Sequence, residues 1–67
     1  MKNRIAGYRK MLGYTQEEMA EKFSVSKQSY YLKERGTTPF SDEEKLIFRE
    51  MLRNIFPNIT IDEIFFA

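Results

Sequence analysis

Apolar residues recur at helical spacing along most of this chain. The first such segment has Ile5, Tyr8 and Leu12 on one face, with Met11 at its edge, and Gly13 follows at once. Side chains three and four positions apart share one face of an α-helix. Glycine commonly ends helices because it tolerates a left-handed backbone. The pattern therefore predicts a first helix that stops at Gly13.

Three later segments carry the signature of a capped helix start, a Ser or Thr followed three residues later by Glu. They are Thr15…Glu18, Ser41…Glu44 and Thr60…Glu63. In such a capping box the hydroxyl accepts a hydrogen bond from the third helical N–H, and the glutamate accepts one from the N–H of the capping residue. The boxes predict helices over about 16–23, 42–55 and 61–66. A further helix is expected from the Ser26 cap to Gly36.

The predicted fold is all-α, a compact bundle of about five short helices that forms a single domain over residues 1–67. Helical spacing also gives the residues expected to face the core. These are Met11, Met19, Ala20, Phe23 and Tyr30 in the first half, Ile61, Ile64 and Phe65 at the end, and in the fourth helix either Leu46, Ile47, Met51 and Ile55 or Phe48, Leu52 and Ile55.

The break at residues 24–26 separates two short helices by a turn of three residues. Helices joined so tightly cross at a steep angle, and the second then projects one face away from the core. That face holds Lys27 and Gln28, whose side chains suit guanine O6/N7 and adenine N6/N7 in the major groove. Gln16 opens the preceding helix, where free N–H groups and its own amide would favour a phosphate.

Charge and composition indicate what kind of partner the protein binds and which kinds of site it lacks. Residues 1–40 hold eight Lys or Arg against four Glu (+4), and residues 41–67 hold three against six acids (−3), so a polyanion would face the N-terminal half. The chain has no Cys and no His, which argues against disulfides, the usual zinc sites and His-based catalysis. The acids of 42–44 complement a helix dipole better than they form a metal site. We expect no enzyme, no cofactor, no small-molecule ligand and no membrane span, and a cytoplasmic location.

The central motif resembles a known family. The stretches TQEEMAEKF (15–23), VS (25–26) and ERG (34–36), with the tail NITIDEIFF (58–66), are similar to the Cro/C1-type helix-turn-helix repressors, the lambda-repressor-like or XRE family. The resemblance implies a five-helix DNA-binding domain that binds double-stranded operator DNA, usually as a symmetric homodimer. It also implies a nucleoid-associated transcriptional regulator of the repressor type, from a phage or a bacterium.

The resemblance assigns roles to individual residues. Base contacts fall on Lys27 and Gln28, and phosphate contacts fall on Arg9, Gln16, Ser26, Ser29 and Arg35. Tyr31, on the same outward face, is a further candidate for a base contact, with a half-exposed packing role as the alternative. Ser24 stands where the family often has a left-handed glycine. Lys33 stands at a usually apolar position, so its stem is expected to cross the core edge while Phe40 fills the space.

The C-terminus gives a second hypothesis. Adjacent Phe65 and Phe66 cannot both be buried on one helix face, and exposed aromatic residues are candidates for an interface. A homodimer through Ile59, Phe65 and Phe66 is one expectation, and packing of Phe66 back onto residues 55–56 is the other. The alternative function is a helix-turn-helix module that acts mainly through protein contact, as an antitoxin or antirepressor subunit would.

Overall fold

The computed structural model describes residues 4–66, which form five helices. In chain order these are α1 (Arg4–Leu12), α2 (Gln16–Phe23), α3 (Lys27–Glu34), α4 (Asp42–Leu52) and α5 (Ile61–Phe65). No strand occurs between residues 4 and 66. The Cα radius of gyration is 10.9 Å, close to the value of about 11 Å expected for a compact fold of this length. The predicted all-α bundle is confirmed.

Local hydrogen bonds explain where the helices begin. All three capping boxes form, with the hydroxyls of Thr15, Ser41 and Thr60 accepting from the N–H three residues on and the glutamates accepting in return. Ser26 caps α3 by accepting from the N–H of Ser29 at 3.0 Å. Each cap satisfies backbone donors that would otherwise lack partners in the first helical turn.

Helices α1, α2 and α3 end in the same way. Gly13, Ser24 and Gly36 have positive φ angles of 82°, 57° and 87°. After α2, the N–H of Ser24 donates to the carbonyl of Glu21 and the N–H of Val25 donates to that of Ala20, the two bonds of a Schellman motif. The left-handed conformation expected at Ser24 is confirmed.

We expect Ser24→Gly to stabilise the protein by about 0.5–1 kcal/mol, because a left-handed backbone is strained in serine and relaxed in glycine. The melting temperature should rise by several degrees. Ser29→Gly is the matched control, since it places glycine inside α3 and should cost about 0.5–1 kcal/mol. Thermal unfolding followed by circular dichroism measures both, and a fall in melting temperature for Ser24→Gly would contradict the strain.

The core lies between all five helices and is largely aromatic. Its buried hydrophobic residues are Met19, Ala20, Phe23, Tyr30, Phe40, Phe48, Leu52 and Ile64. The ring centroid of Phe23 lies 5.8–6.2 Å from the ring centroids of Tyr30, Phe40 and Phe48, within the range of favourable aromatic pairs. Because Tyr30 is fully buried, α3 is anchored to this cluster through one side chain near its middle.

Two expectations about the core were wrong. Met11 is 59% exposed, because it lies about 100° around the helix from Leu12, outside the stripe that packs inward. Helix α4 ends at Leu52 rather than near Ile55, and both Leu46 and Ile55 are exposed. The carbonyl of Leu52 accepts from two N–H groups, those of Ile55 and residue 56, which tightens the chain into a turn. The buried stripe of α4 is therefore the one that contains Phe48 and Leu52.

Candidate nucleic-acid interface

Helix α3 divides into an exposed and a buried face. On the exposed face of α3 and its C-cap lie Lys27, Gln28, Tyr31 and Arg35. The inward face carries Tyr30 and Glu34, both buried. Tyr31 lies four positions from Lys27 and from Arg35 and three from Gln28, the spacings at which side chains are neighbours on a helix surface. The structure thus brings the three predicted base-contact residues together and turns them away from the core.

Tyr31 and Arg35 form a pair within this exposed face. The Nη1 of Arg35 donates a hydrogen bond of 2.9 Å to the Tyr31 hydroxyl, and the guanidinium lies 5.4 Å from the ring centroid. Tyr31 is 39% exposed. Its hydroxyl accepts from Arg35 and keeps its own hydrogen for a further acceptor, so the geometry is compatible with both roles considered for Tyr31.

Behind the exposed face, the carboxylate of Glu34 joins three helices. Its Oε2 accepts from Arg9 Nε at 2.7 Å and from the Tyr30 hydroxyl at 2.8 Å, and its Oε1 accepts from Gln16 Nε2 at 2.9 Å. Arg9 also donates from Nη1 to the carbonyl of Tyr14 at 2.8 Å. Glu34 is only 6% exposed. The cluster of Arg9, Gln16, Tyr30 and Glu34 therefore fixes α3 against α1 and α2.

The protonation states in this cluster follow from its contacts. Burial alone would raise the pKa of Glu34, but the hydrogen bonds from Arg9, Gln16 and Tyr30 outweigh burial and lower the pKa. Burial and the hydrogen bond to Glu34 raise the pKa of Tyr30 far above its usual range. Glu34 thus stays charged and Tyr30 stays a donor across the physiological range.

The sequence did not indicate the role of Glu34, which forms hydrogen bonds with two of the residues that were predicted to contact phosphate. Arg9 and Gln16 are partly buried and bonded to Glu34, so their phosphate contacts stay predictions. Of the other proposed phosphate contacts, Ser26 and Arg35 are exposed and Ser29 is partly buried. The spacing of Tyr30 and Glu34 by four residues was the available signal, because such pairs meet on a helix.

Lys33 has an acidic partner on α4. Its Nζ lies 2.5 Å from Oε2 of Glu44, and the two side chains are 12% and 10% exposed. The lysine side chain is thus largely buried, and so is Phe40, while the path of the lysine stem along the core edge stays a prediction. Burial alone would raise the pKa of Glu44, but the hydrogen bonds from Lys33 and from the N–H of Ser41 prevail and lower it.

Acid should destabilise the protein through these two carboxylates. The folded-state pKa values of Glu34 and Glu44 lie below their ordinary value of 4.5, so their stabilising contribution is present at neutral pH and is lost as pH falls through the lowered values. We expect a constant urea midpoint from pH 7 to about 5.5 and a fall below about 4.5. Glu21→Gln, which removes an exposed carboxylate of α2, should leave the shape of this curve unchanged. A midpoint that rises below pH 4.5 would contradict the account.

At the C-terminal end the two phenylalanines have different environments. Phe65 is partly buried, with its ring centroid 5.2 Å from that of Phe40. Phe66 is 66% exposed, and the Nζ of Lys45 lies 4.7 Å from its ring centroid. Phe66 thus contacts Lys45 in the structure, and Ile59 is partly buried against the core. Neither placement tests the homodimer.

Within residues 4–66 no group of His, Cys, Asp or Glu could hold a metal ion. None of the helices there is long and apolar enough to cross a membrane.

Two short helices joined by three residues, with the second presenting a polar face outward, define a helix-turn-helix domain. A family model described as helix-turn-helix matches residues 5–44, or 40 of the 67 residues of the chain. The chain belongs to this family, the Cro/C1-type or XRE helix-turn-helix proteins, which are DNA-binding transcription regulators. No curated protein and no solved structure gave a significant match.

Proposed function

We propose that this protein binds double-stranded operator DNA in a sequence-specific manner and represses transcription, in a phage or a bacterium. The exposed face of α3 would enter the major groove, where Lys27 and Gln28 read base edges and Tyr31 lies beside them. The observation that carries the proposal is the division of α3, which leaves these polar side chains exposed while Tyr30 and Glu34, on an adjacent face, are buried in the bundle.

Electrostatics support this orientation. The exposed face of α3 and its C-cap carries Lys27 and Arg35 and no carboxylate, since the one acid of α3, Glu34, is buried. Contacts with the backbone phosphates contribute much of the affinity of proteins for DNA. A face that carries cations and no acids is therefore the face expected to bind DNA. Under this proposal residues 1–67 act as one DNA-binding domain at the nucleoid, with no cofactor and no catalytic role.

The proposed assembly is a homodimer, at least on DNA, with half-sites about 34 Å apart. Its interface would use Ile59, Phe65 and Phe66, of which Phe66 is the most exposed. The neighbouring Ile55 and Phe56 are 43% and 37% exposed and would enlarge the apolar area. Sedimentation at micromolar concentration, with and without DNA, tests this; a monomer bound singly to its site would contradict it.

The test of base reading compares matched substitutions on a duplex selected from a random library. Lys27→Ala and Gln28→Ala should each weaken binding by about 1–3 kcal/mol and relax preference at one or two base pairs. Arg53→Ala and Asn54→Ala remove the same kinds of group from an exposed turn beyond α4 and should leave the preference intact. Fluorescence anisotropy with the selected and the scrambled duplex gives the ratio of the two affinities. Equal losses on both duplexes for Lys27→Ala and Gln28→Ala would refute their assigned roles.

A second candidate is a helix-turn-helix module that works through protein contact, as an antitoxin or antirepressor subunit. The exposure of Phe66, Ile55 and Phe56 on the C-terminal half favours it, because exposed apolar residues mark interaction surfaces. If the library selection returns no preferred duplex, this candidate replaces the first.

A further inference from the structure

Two consecutive residues in the last turn of α3 pair with different parts of the bundle. Glu34 accepts from Arg9 of α1 and Gln16 of α2. Lys33 donates to Glu44 of α4. The two side chains have opposite charge and lie about 100° apart around the helix, so α3 is held from two directions at the same level.

Glu44 performs two tasks with its two oxygens. Its Oε1 accepts from the N–H of Ser41 at 2.9 Å, which closes the capping box of α4. Its Oε2 accepts from Lys33. One carboxylate therefore joins the first turn of α4 to the last turn of α3, across the loop that separates the two helices.

We propose that the Lys33–Glu44 pair is a positioning device that sets the orientation of α3 on the bundle, and hence the direction in which Lys27 and Gln28 face DNA. This inference rests on the proposed DNA-binding function. Neither residue of the pair needs to touch DNA. Lys33 and Glu44 act through the residues that α3 presents.

The geometry of α3 gives the physical reason. The helix has eight residues and is about 12 Å long, too short to be stable alone. Its central anchor, Tyr30, packs in an apolar cluster, and apolar packing is not directional. A charge-assisted hydrogen bond does fix direction. With Glu34 alone, α3 is tied only toward α1 and α2, and the tie to α4 removes the remaining freedom to rotate about Tyr30.

Stability alone does not account for the pair. Replacing a buried ion pair with uncharged side chains of similar volume is often neutral or stabilising, because desolvation of the charges is avoided. A merely structural pair would therefore be replaceable without loss of DNA recognition. A positioning pair would not.

The test uses the double variant Lys33→Met/Glu44→Gln, in which the glutamine can still close the capping box with its side-chain oxygen. The readout is the ratio of affinities for the selected and scrambled duplexes. We expect this ratio to fall about tenfold while the urea midpoint stays near that of the unaltered protein. The single variant Lys33→Arg, which can still donate to Glu44, should keep the affinity ratio of the unaltered protein.

The control is Arg53→Met/Glu50→Gln, which removes an ion pair of 3.0 Å whose side chains are exposed and should leave the ratio unchanged. A double variant at 33 and 44 that keeps the full ratio overturns the inference and leaves the proposed function standing. If that variant does not fold, Lys33→Leu/Glu44→Gln, which also leaves no unpaired charge, decides by the same ratio. If the unaltered protein itself prefers no duplex, the proposed function fails, and the inference fails with it.

Discussion

The affinity for duplex DNA should fall about 10- to 10²-fold when salt is raised from 50 to 200 mM. Each phosphate neutralised by a Lys or Arg contributes about −0.9 to the slope of log affinity against log salt. The proposed interface offers Lys27 and Arg35 as exposed cations in each protomer, and Arg9 as a partly buried one. Because Lys27 is assigned to bases, a dimer neutralises two phosphates through Arg35 alone and four with Arg9, which gives slopes of about −2 and −4.

The slope also tests the phosphate role of Arg9, because its guanidinium is bonded to Glu34 in the structure. Anisotropy titrations at several salt concentrations with a random-sequence duplex give the value. Arg35→Ala should make the slope shallower by about two units in a dimer, and Arg53→Ala should not change it. An affinity that hardly changes with salt would favour the protein-contact function, since apolar interfaces are weakly screened.

Glu34→Ala should destabilise the protein by about 3–5 kcal/mol, the cost of leaving a buried charge without its partner. The change removes the acceptor of Arg9, Gln16 and Tyr30 together. A chain of this length is stable by only about 3–10 kcal/mol, so much of the population should be unfolded at 37 °C. Urea unfolding at 10 °C, followed by circular dichroism, measures the loss.

Two further variants separate the charge from the contacts. Glu21→Ala removes an exposed carboxylate from α2 and should change stability by no more than about 0.5 kcal/mol. Glu34→Gln keeps the volume and one acceptor oxygen but not the charge, so its loss should fall between those of Glu21→Ala and Glu34→Ala. If Glu34→Ala proves as mild as Glu21→Ala, the cluster does not hold α3 in place.

The sequence predicted those features that depend on neighbouring residues. Capping boxes involve positions three apart, so Thr15, Ser41 and Thr60 located three helix starts correctly. The exposed face of α3 followed equally from spacing, because the break at 24–26 and the polar character of Lys27 and Gln28 lie close together in the chain.

The features that were missed depend on residues far apart in sequence. Glu34 pairs with Arg9 across 25 positions and with Gln16 across 18, and periodicity contains no information on such pairs. Lys33 was expected only to extend along the core edge, whereas its partner lies 11 residues away on another helix. In a sequence, a charged residue that forms a buried ion pair cannot be told apart from a charged residue on the solvated surface.

The central claim is that the exposed face of α3 contacts DNA, and nuclear magnetic resonance tests it most directly. The amide signals of ¹⁵N-labelled protein would be followed as the selected duplex is added. The largest changes should fall on residues 26–31 and on Gln16, with small changes at Arg53 and Asn54. Changes confined to residues 59–66, or none at a concentration where the duplex is bound, would contradict it.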